Sequence, residues 1–411
     1  HLTHTLPQLV PLLPSMSKFQ RALVRVGFLA GDALRVAART PSSVLPRSHR
    51  VDAETAVSMS STVAREGLAG GYVNYDGQLI DDARLVVAIA RTAAENGARI
   101  LTHVAASEVT GSGATLTDEL TGESLGIRAR AVVNAAGVWA GEVDPSIRLR
   151  PSRGTHLVFD AATFGNPTAS LTVPIPGETN RFVCGLPQQL GRVYVGLTDE
   201  DAPGPIPDEP RPADSEIDFL LETINTALGT PVTRDDIIGT YSGLRPLIDS
   251  GDGRTSDLSR EHAVIESPTG VFSVVGGKLT EYRYMAEDTV DQVIAGRPID
   301  GGPCSTRSLA LVGAPRHAAT GTTSPAAADP VPQSLRNRFG DEAPDVLAAA
   351  TCTDPLAPIA EGIDVTRAEI EFAITHEGAM DADDVLDRRT RIGLVAADRE
   401  KSKAAVEAFF A

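Results

Sequence analysis

The sequence predicts an α/β (α+β) chain, and three stretches carry that expectation. "VFSVVGGKLTEYRYMAEDTVDQV" (271–293) runs from a β-branched strand through two glycines into a helical pattern. Residues 150–270 are short alternating runs such as "THLVF", "RFVCGLP" and "RVYVGLTD", separated by Pro/Gly turns, which predict an antiparallel sheet. Beyond a segment rich in Ala, Pro, Gly, Ser and Thr (313–334), the pattern is helical to the end. With 411 residues there is room for two or three domains.

Taken in order, residues 1–50 carry seven Lys or Arg against one acid, Asp32, in a chain whose net charge is −17. In "SKFQRALVRVGFLAGDALRVAAR" the cations Lys18, Arg21, Arg25, Arg35 and Arg39 recur at helical spacing, with Leu23, Val26, Leu29 and Leu34 on other sides. Two readings are open: a helix packed on the body with a solvated basic face, or a patch over 17–39 that meets anionic lipid. "DDARLVVAIARTAAENG" (81–97) reads as a helix with an Asp start and a Gly stop. A strand "ARILTHV" is expected next, then a hairpin through "TGSGATLTDELTGESLGIRA", then a buried strand in "RAVVNAAGVWAGEV". One helix, "ADSEIDFLLETINTAL", interrupts the central sheet region.

Composition excludes several classes. A net charge of −17 argues against nucleic acid as the main partner. The apolar runs are too short for a spanning helix, and no secretory leader pattern is visible. Cys184, Cys304 and Cys352 are few and widely spaced, which suits a reduced, cytoplasmic setting better than a disulfide framework. Neither G-x-S-x-G nor H-E-x-x-H occurs, and no His/Cys/Asp/Glu spacing predicts a metal site.

Three segments can carry chemistry. "VVNAAGVWA" (132–140) opens a strand onto small residues, which lets backbone approach something flat or phosphorylated. In "TYSGLRPLIDSGDGRTSDLSREH", Arg245 and Arg260 could converge on one anion, each offering a planar fork of donors. They could equally face solvent and pair with Asp249, Asp252 or Asp257. His156, heading a strand in "RGTHLVF", is either a general base near neutral pH or a hydrogen-bonded strand terminus.

"DDARLV", "VVNAAGVWA", "RGTHLVF", "VGLTD", "TYSGLRPL", "SREH" and "GGKLTEYR", in that order, resemble the FAD-dependent, aerobic, quinone-linked glycerol-3-phosphate dehydrogenases. The tail "EIEFAITHEGAMDADDVLDRRTRIGL" is similar to the helical C-terminal domain of that family. The resemblance implies a Rossmann-like FAD-binding domain over 61–145 and 266–300 and an antiparallel substrate domain over 146–265. A basic helical segment would occupy 1–60, a linker 301–335 and a C-terminal helical domain 336–411. It further implies that Arg245 and Arg260 clamp a substrate phosphate with Lys278 and Thr198 nearby. His156 or Lys278 would take the proton from the substrate's C2 hydroxyl; Lys278 could instead hold the phosphate or stabilise reduced flavin. Gly276, Gly277, Lys278, Leu279 and Thr280 would meet the flavin ring, and Ala135, Ala136, Gly137 and Trp139 the pyrophosphate and adenosine side. A quinone acceptor, the inner face of the cytoplasmic membrane and a homodimer are the expected partners and setting.

One family feature is not in this sequence: a G-x-G-x-x-G turn between a first strand and helix, followed by an arginine-containing loop. Since the first residue is His1, the expectation is a chain that starts inside a longer gene product, with the phosphate loop upstream. A related flavoenzyme acting on another hydroxy acid or amine, or a flavin-less phosphate-binding fragment, are the alternatives.

Overall fold

The computed structural model describes residues 2–178, 181–249, 261–315 and 331–411. The chain opens with β1 (Thr3–Pro11), the long helix α1 (Lys18–Ala37), β2 (His49–Val51), α2 (Ala53–Met59), β3 (Gly71–Leu79) and α3 (Asp82–Glu95). Next come β4 (Val104–Thr110), β5 (Gly113–Asp118), β6 (Ser124–Arg128), β7 (Val133–Asn134) and the single turn α4 (Ala140–Val143). The middle of the chain supplies β8 (Leu149–Asp160), β9 (Ser170–Pro174), β10 (Phe182–Gln188), β11 (Arg192–Gly196), β12 (Glu200–Asp201), α5 (Asp214–Asn225) and β13 (Ile237–Ile248). After it stand β14 (His262–Glu266), β15 (Phe272–Gly276) and α6 (Tyr282–Gly296). The tail holds α7 (Gln333–Phe339), α8 (Ala343–Ala349), β16 (Pro358–Ala360), β17 (Ile363–Thr366), α9 (Arg367–Thr375) and α10 (Ala396–Glu407).

Nine strands form the main sheet in the order β12-β8-β11-β10-β9-β1-β3-β2, with β13 on the free side of β8. Side chains alternate along β8: Leu157 and Phe159 pack with Val193, Val195, Leu220 and Ile224 under α5, while Val158 faces Tyr194 and Val395 on the other side. α5 therefore covers one face of the sheet, and the C-terminal domain touches the opposite face. A second, three-stranded sheet has the order β14-β15-β7, with β15 and β7 parallel. The meander β4-β5-β6 is the expected hairpin extended by one strand.

Three expectations are revised. Residues 1–60 are more than a basic helical segment, because β1 and β2 join the main sheet: β1 pairs with β3 over its whole length and with β9. α1 is present, but its polarity is inverted. Arg21 donates to the Leu13 carbonyl, Arg25 to Ser48 and Arg35 to the Thr40 carbonyl. Turned inward with Val24, these cations leave Phe19, Leu23, Val26, Leu29 and Leu34 exposed, Phe19 at 67% and Leu34 at 71%. Finally, "ARILTHV" is not a strand before Val104, and the "VVNAAG" strand shrinks to the two-residue β7 with Val133 exposed. Among the described residues no strand pairs with 98–102 or with the second edge of β7, and a strand without a partner has no ladder to hold it.

Candidate active site

β15 and β7 run in the same direction, with Phe272 opposite Val133 and Ser273 opposite Asn134, so their C-terminal ends open at one edge. In parallel sheets that edge is where ligands bind. Asn134 organises it from β7: buried to 4% exposure, its Nδ2 donates to the Ala140 carbonyl and Ser273 Oγ, and its Oδ1 accepts the Ala136 N–H. That locks the turn from Ala135 into the 3₁₀ segment Gly137–Trp139, with Gly137 at φ +59 and the Ala135 and Trp139 side chains outward. At the end of β15, Gly276 and Gly277 have φ +74 and +76, the left-handed region that favours glycine. A Cβ at either position would also collide, with the Glu261 carbonyl at Gly276 and with the Met285 sulfur at Gly277. Gly276 is therefore required by backbone conformation and by its approach to the main chain, and Gly277 by backbone conformation.

Lys278 follows, and the 3₁₀ turn Leu279–Glu281 leads into α6. Its ammonium stands 3.5 Å from Glu281 Oε1 with the side chain half-exposed. A cavity of about 630 Å³ lies here, lined by Val133, Ala135, Pro246, Gly276, Gly277 and Lys278 among others. Leu279 and Thr280 also line a neighbouring space of about 490 Å³. Small apolar walls, glycine backbone and the start of a helix suit a flat, electron-rich ring system, so these residues fit the flavin of an FAD.

Pro246 joins this cavity to the main sheet, because its chain neighbour Arg245 lies on β13 opposite Ser152. Tyr241, Gly243 and Arg245 alternate along one face of β13, as His156, Gly154 and Ser152 do on β8. Arg245 Nη2 donates to the Thr198 carbonyl at 3.2 Å, and Nη1 lies 3.4 Å from Ser152 Oγ and 3.7 Å from Asp199. Ser152 in turn donates to Asp199. Gly154 makes room for this arrangement, since a Cβ there would overlap the guanidinium. The His156 ring stacks on Tyr241 with centroids 4.8 Å apart and planes 8° apart, and Tyr194 meets Tyr241 edge-on. Burial, and then the nearby Arg245 charge, push the imidazole down to about 4. His156 is thus neutral at physiological pH, with a lone pair available to accept a proton. Burial also raises the Tyr241 phenol, with Tyr194 adding to the effect, so Tyr241 stays a neutral platform.

The expected residues fall into two adjoining groups, Arg245 and His156 on the sheet face and Gly276–Leu279 with Ala135 at the parallel-strand edge. Thr198 differs from expectation: its carbonyl serves Arg245, while its hydroxyl points into the core, donating to Glu216 at 2.6 Å and accepting the Thr155 N–H at 2.9 Å. Arg260 lies outside the described residues. Sequence reasoning missed Asn134, Tyr241, Asp199 and Glu216. Tyr241 had a legible signal, standing four residues before Arg245 in a strand, where a period of two puts both on one face.

Residues 20–280 match the family described as FAD dependent oxidoreductase, and residues 304–410 match the C-terminal domain of alpha-glycerophosphate oxidase. Glycerol-3-phosphate dehydrogenase 1 of Mycobacterium tuberculosis is 64% identical over 413 residues, covering all of this chain and 80% of its own length. The glycerol-3-phosphate dehydrogenase of Mycobacterium leprae is 34% identical, covering 96% of this chain and 68% of its own. The glycerol-3-phosphate dehydrogenase of Bacillus halodurans, solved with FAD, superposes with a TM-score of 0.72 at 23% identity, over all of this chain and 78% of that one. Glycine-turn geometry, sheet architecture and these similarities agree, and the chain belongs to the FAD dependent oxidoreductases, among their glycerol-3-phosphate dehydrogenases.

Proposed function

We propose that this protein oxidises sn-glycerol 3-phosphate to dihydroxyacetone phosphate, using FAD and passing the electrons to a quinone. The observation that carries the substrate reading is Arg245, a guanidinium held by Thr198, Ser152 and Asp199 one residue along β13 from Pro246, which lines the flavin-side cavity. A planar, permanently charged fork of donors suits a phosphate better than an uncharged group. FAD, when bound, supplies the acceptor for the hydride that leaves C2. His156, neutral beside the same face, takes the proton from the C2 hydroxyl. Burial first, and the Arg245 charge second, hold this imidazole low, and an arriving phosphate would offset the second of these. Lys278 lines the same cavity and would add a positive charge beside a bound flavin, while Gly276 and Gly277 leave that wall free of side chains.

Attachment to the inner face of the cytoplasmic membrane would bring the site to its quinone. Among the described residues no helix is long and apolar enough to cross a membrane. Support for attachment comes from α1, whose exposed side is the apolar one. The proposal is tested by product analysis. Flavin-loaded protein given sn-glycerol 3-phosphate and a soluble quinone should form dihydroxyacetone phosphate, and far faster than it oxidises glycerol. Preference for an amino acid or a non-phosphorylated hydroxy acid would overturn it. Arg245→Ala should raise the KM for sn-glycerol 3-phosphate by the equivalent of about 2–3 kcal/mol, and an unchanged KM would remove Arg245 from the site.

A further inference from the structure

Under the main sheet, on the face turned away from His156 and Arg245, one carboxylate is held by four donors. Glu216, in the first turn of α5, is 2% exposed. Its Oε1 accepts the hydroxyls of Thr198 at 2.6 Å and Thr155 at 2.9 Å. Its Oε2 accepts Arg153 Nε at 2.7 Å and the Ala213 N–H at 2.8 Å. Burial pushes this carboxyl up, but the hydrogen bonds outweigh it and leave it below the ordinary range, so it is ionised. A buried carboxylate is tolerated only while its donors stay in place. It therefore fixes whatever carries those donors.

What it fixes reaches through the sheet. Thr155 belongs to β8, and its hydroxyl also meets Ser242 of β13 at 2.8 Å. Thr198 lies in the turn between β11 and β12 and is bonded on both sides. Its hydroxyl holds to Glu216 and to the Thr155 N–H, while its carbonyl receives Arg245 Nη2 on the other face. Asp199, next in the chain, stands 3.7 Å from Nη1 of the same guanidinium. The 198–199 turn thus ties a buried anion beneath the sheet to a cation above it.

We propose that Glu216 is a positioning residue for the substrate phosphate: by holding Thr198, it sets the direction of the Arg245 guanidinium. The inference rests on the reading of Arg245 as the phosphate clamp. In Glu216→Gln the amide NH₂ cannot face Arg153 or the Ala213 N–H, which only donate, so it must turn toward Thr198 and Thr155, whose hydroxyls can reverse. The Thr198 oxygen then accepts from both the amide and the Thr155 N–H. Its own proton is left without a partner in the core, and the turn relaxes. Thr198→Val cuts the same link while nearly keeping shape.

The test is steady-state kinetics of flavin-loaded protein with sn-glycerol 3-phosphate and with glycerol, for wild type, E216Q, T198V and R245Q, with folding checked by thermal melting. Misaligning one charge-assisted contact should lower the preference for sn-glycerol 3-phosphate over glycerol about tenfold in E216Q and in T198V, carried by KM. Equal losses on both substrates would mean that Glu216 only supports the fold, which overturns the inference. An unchanged preference in E216Q and T198V, with R245Q impaired, overturns it while the clamp stands. Should R245Q itself keep the preference, the clamp falls and the positioning role with it. T198V decides if E216Q does not fold.

Discussion

His156 couples the stability of the fold to the acidity of its surroundings. The folded protein holds its imidazole at about 4, against an ordinary value of 6.5, through burial and the Arg245 charge. As pH falls below 6.5 the unfolded chain takes up a proton that the folded chain refuses until about 4. Stability present above 6.5 is therefore lost across that window, by up to about 3 kcal/mol. His156→Gln removes the titration, so the fall in unfolding free energy between pH 7 and pH 4.5 should shrink by that amount, as urea denaturation would measure. An identical fall in the variant would show that His156 is not held neutral. Tyr241 bears on the same point, because its stacked ring supplies the apolar wall that disfavours the imidazolium. At this scale Arg245 and His156 could be singled out from sequence as chemically useful side chains. The groups that hold Arg245 (Ser152, Thr198 and Asp199) come from distant parts of the chain, and only strand register brings them together.

Elements show what local pattern does and does not settle. The double glycine at 276–277 was legible as a strand-to-helix turn, since "VVGGKLT" changes from β-branched residues to a helix start. That a Cβ would meet Glu261 and Met285 there comes from tertiary neighbours, which no local pattern shows. α1 was legible as an amphipathic helix, yet the side facing the body could not be read from periodicity, which fixes only that two faces differ. Here Leu13, Ser48 and Thr40 supply acceptors that draw the arginines inward and turn the apolar side out. Leu23→Asp with Val26→Asp should abolish co-sedimentation with anionic lipid vesicles while leaving the thermal midpoint within a few degrees. Retained binding would assign attachment to some other surface. Likewise, the strand expected at 98–104 fails for a reason no window of sequence reveals, the lack of a paired neighbour among the described residues.

The whole molecule is tied together by buried charge as well as by apolar contact. Arg84 of α3 makes a bidentate pair with Glu377 of the C-terminal domain at 2.5 and 2.7 Å, with the Glu377 side chain fully buried. The same guanidinium lies 4.1 Å from the Phe339 ring centroid. Beside it Arg91 pairs with Glu342, and Arg192, 1% exposed, joins β11 to Asp398 and the Arg391 carbonyl. Through Leu394 and Val395 the same domain backs Tyr194 and Tyr241, so the helical tail reaches the face that carries His156. Removing one partner of a buried pair leaves the other charge stranded, at about 3–5 kcal/mol. Glu377→Ala should lower unfolding free energy by that amount in chemical denaturation; a change below about 1 kcal/mol would show that the pair is wet and weak. No stretch of sequence announces these contacts, because Arg84 and Glu377 stand 293 positions apart.

Whether substrate phosphate at Arg245 brings a C2 hydroxyl to a flavin is decided by anaerobic titration of the flavin-loaded protein, followed by visible absorbance. Addition of sn-glycerol 3-phosphate should bleach the flavin bands, and Arg245→Ala should require far more substrate for the same bleaching. Flavin bands that persist at saturating sn-glycerol 3-phosphate, or that bleach equally in both proteins, would contradict it.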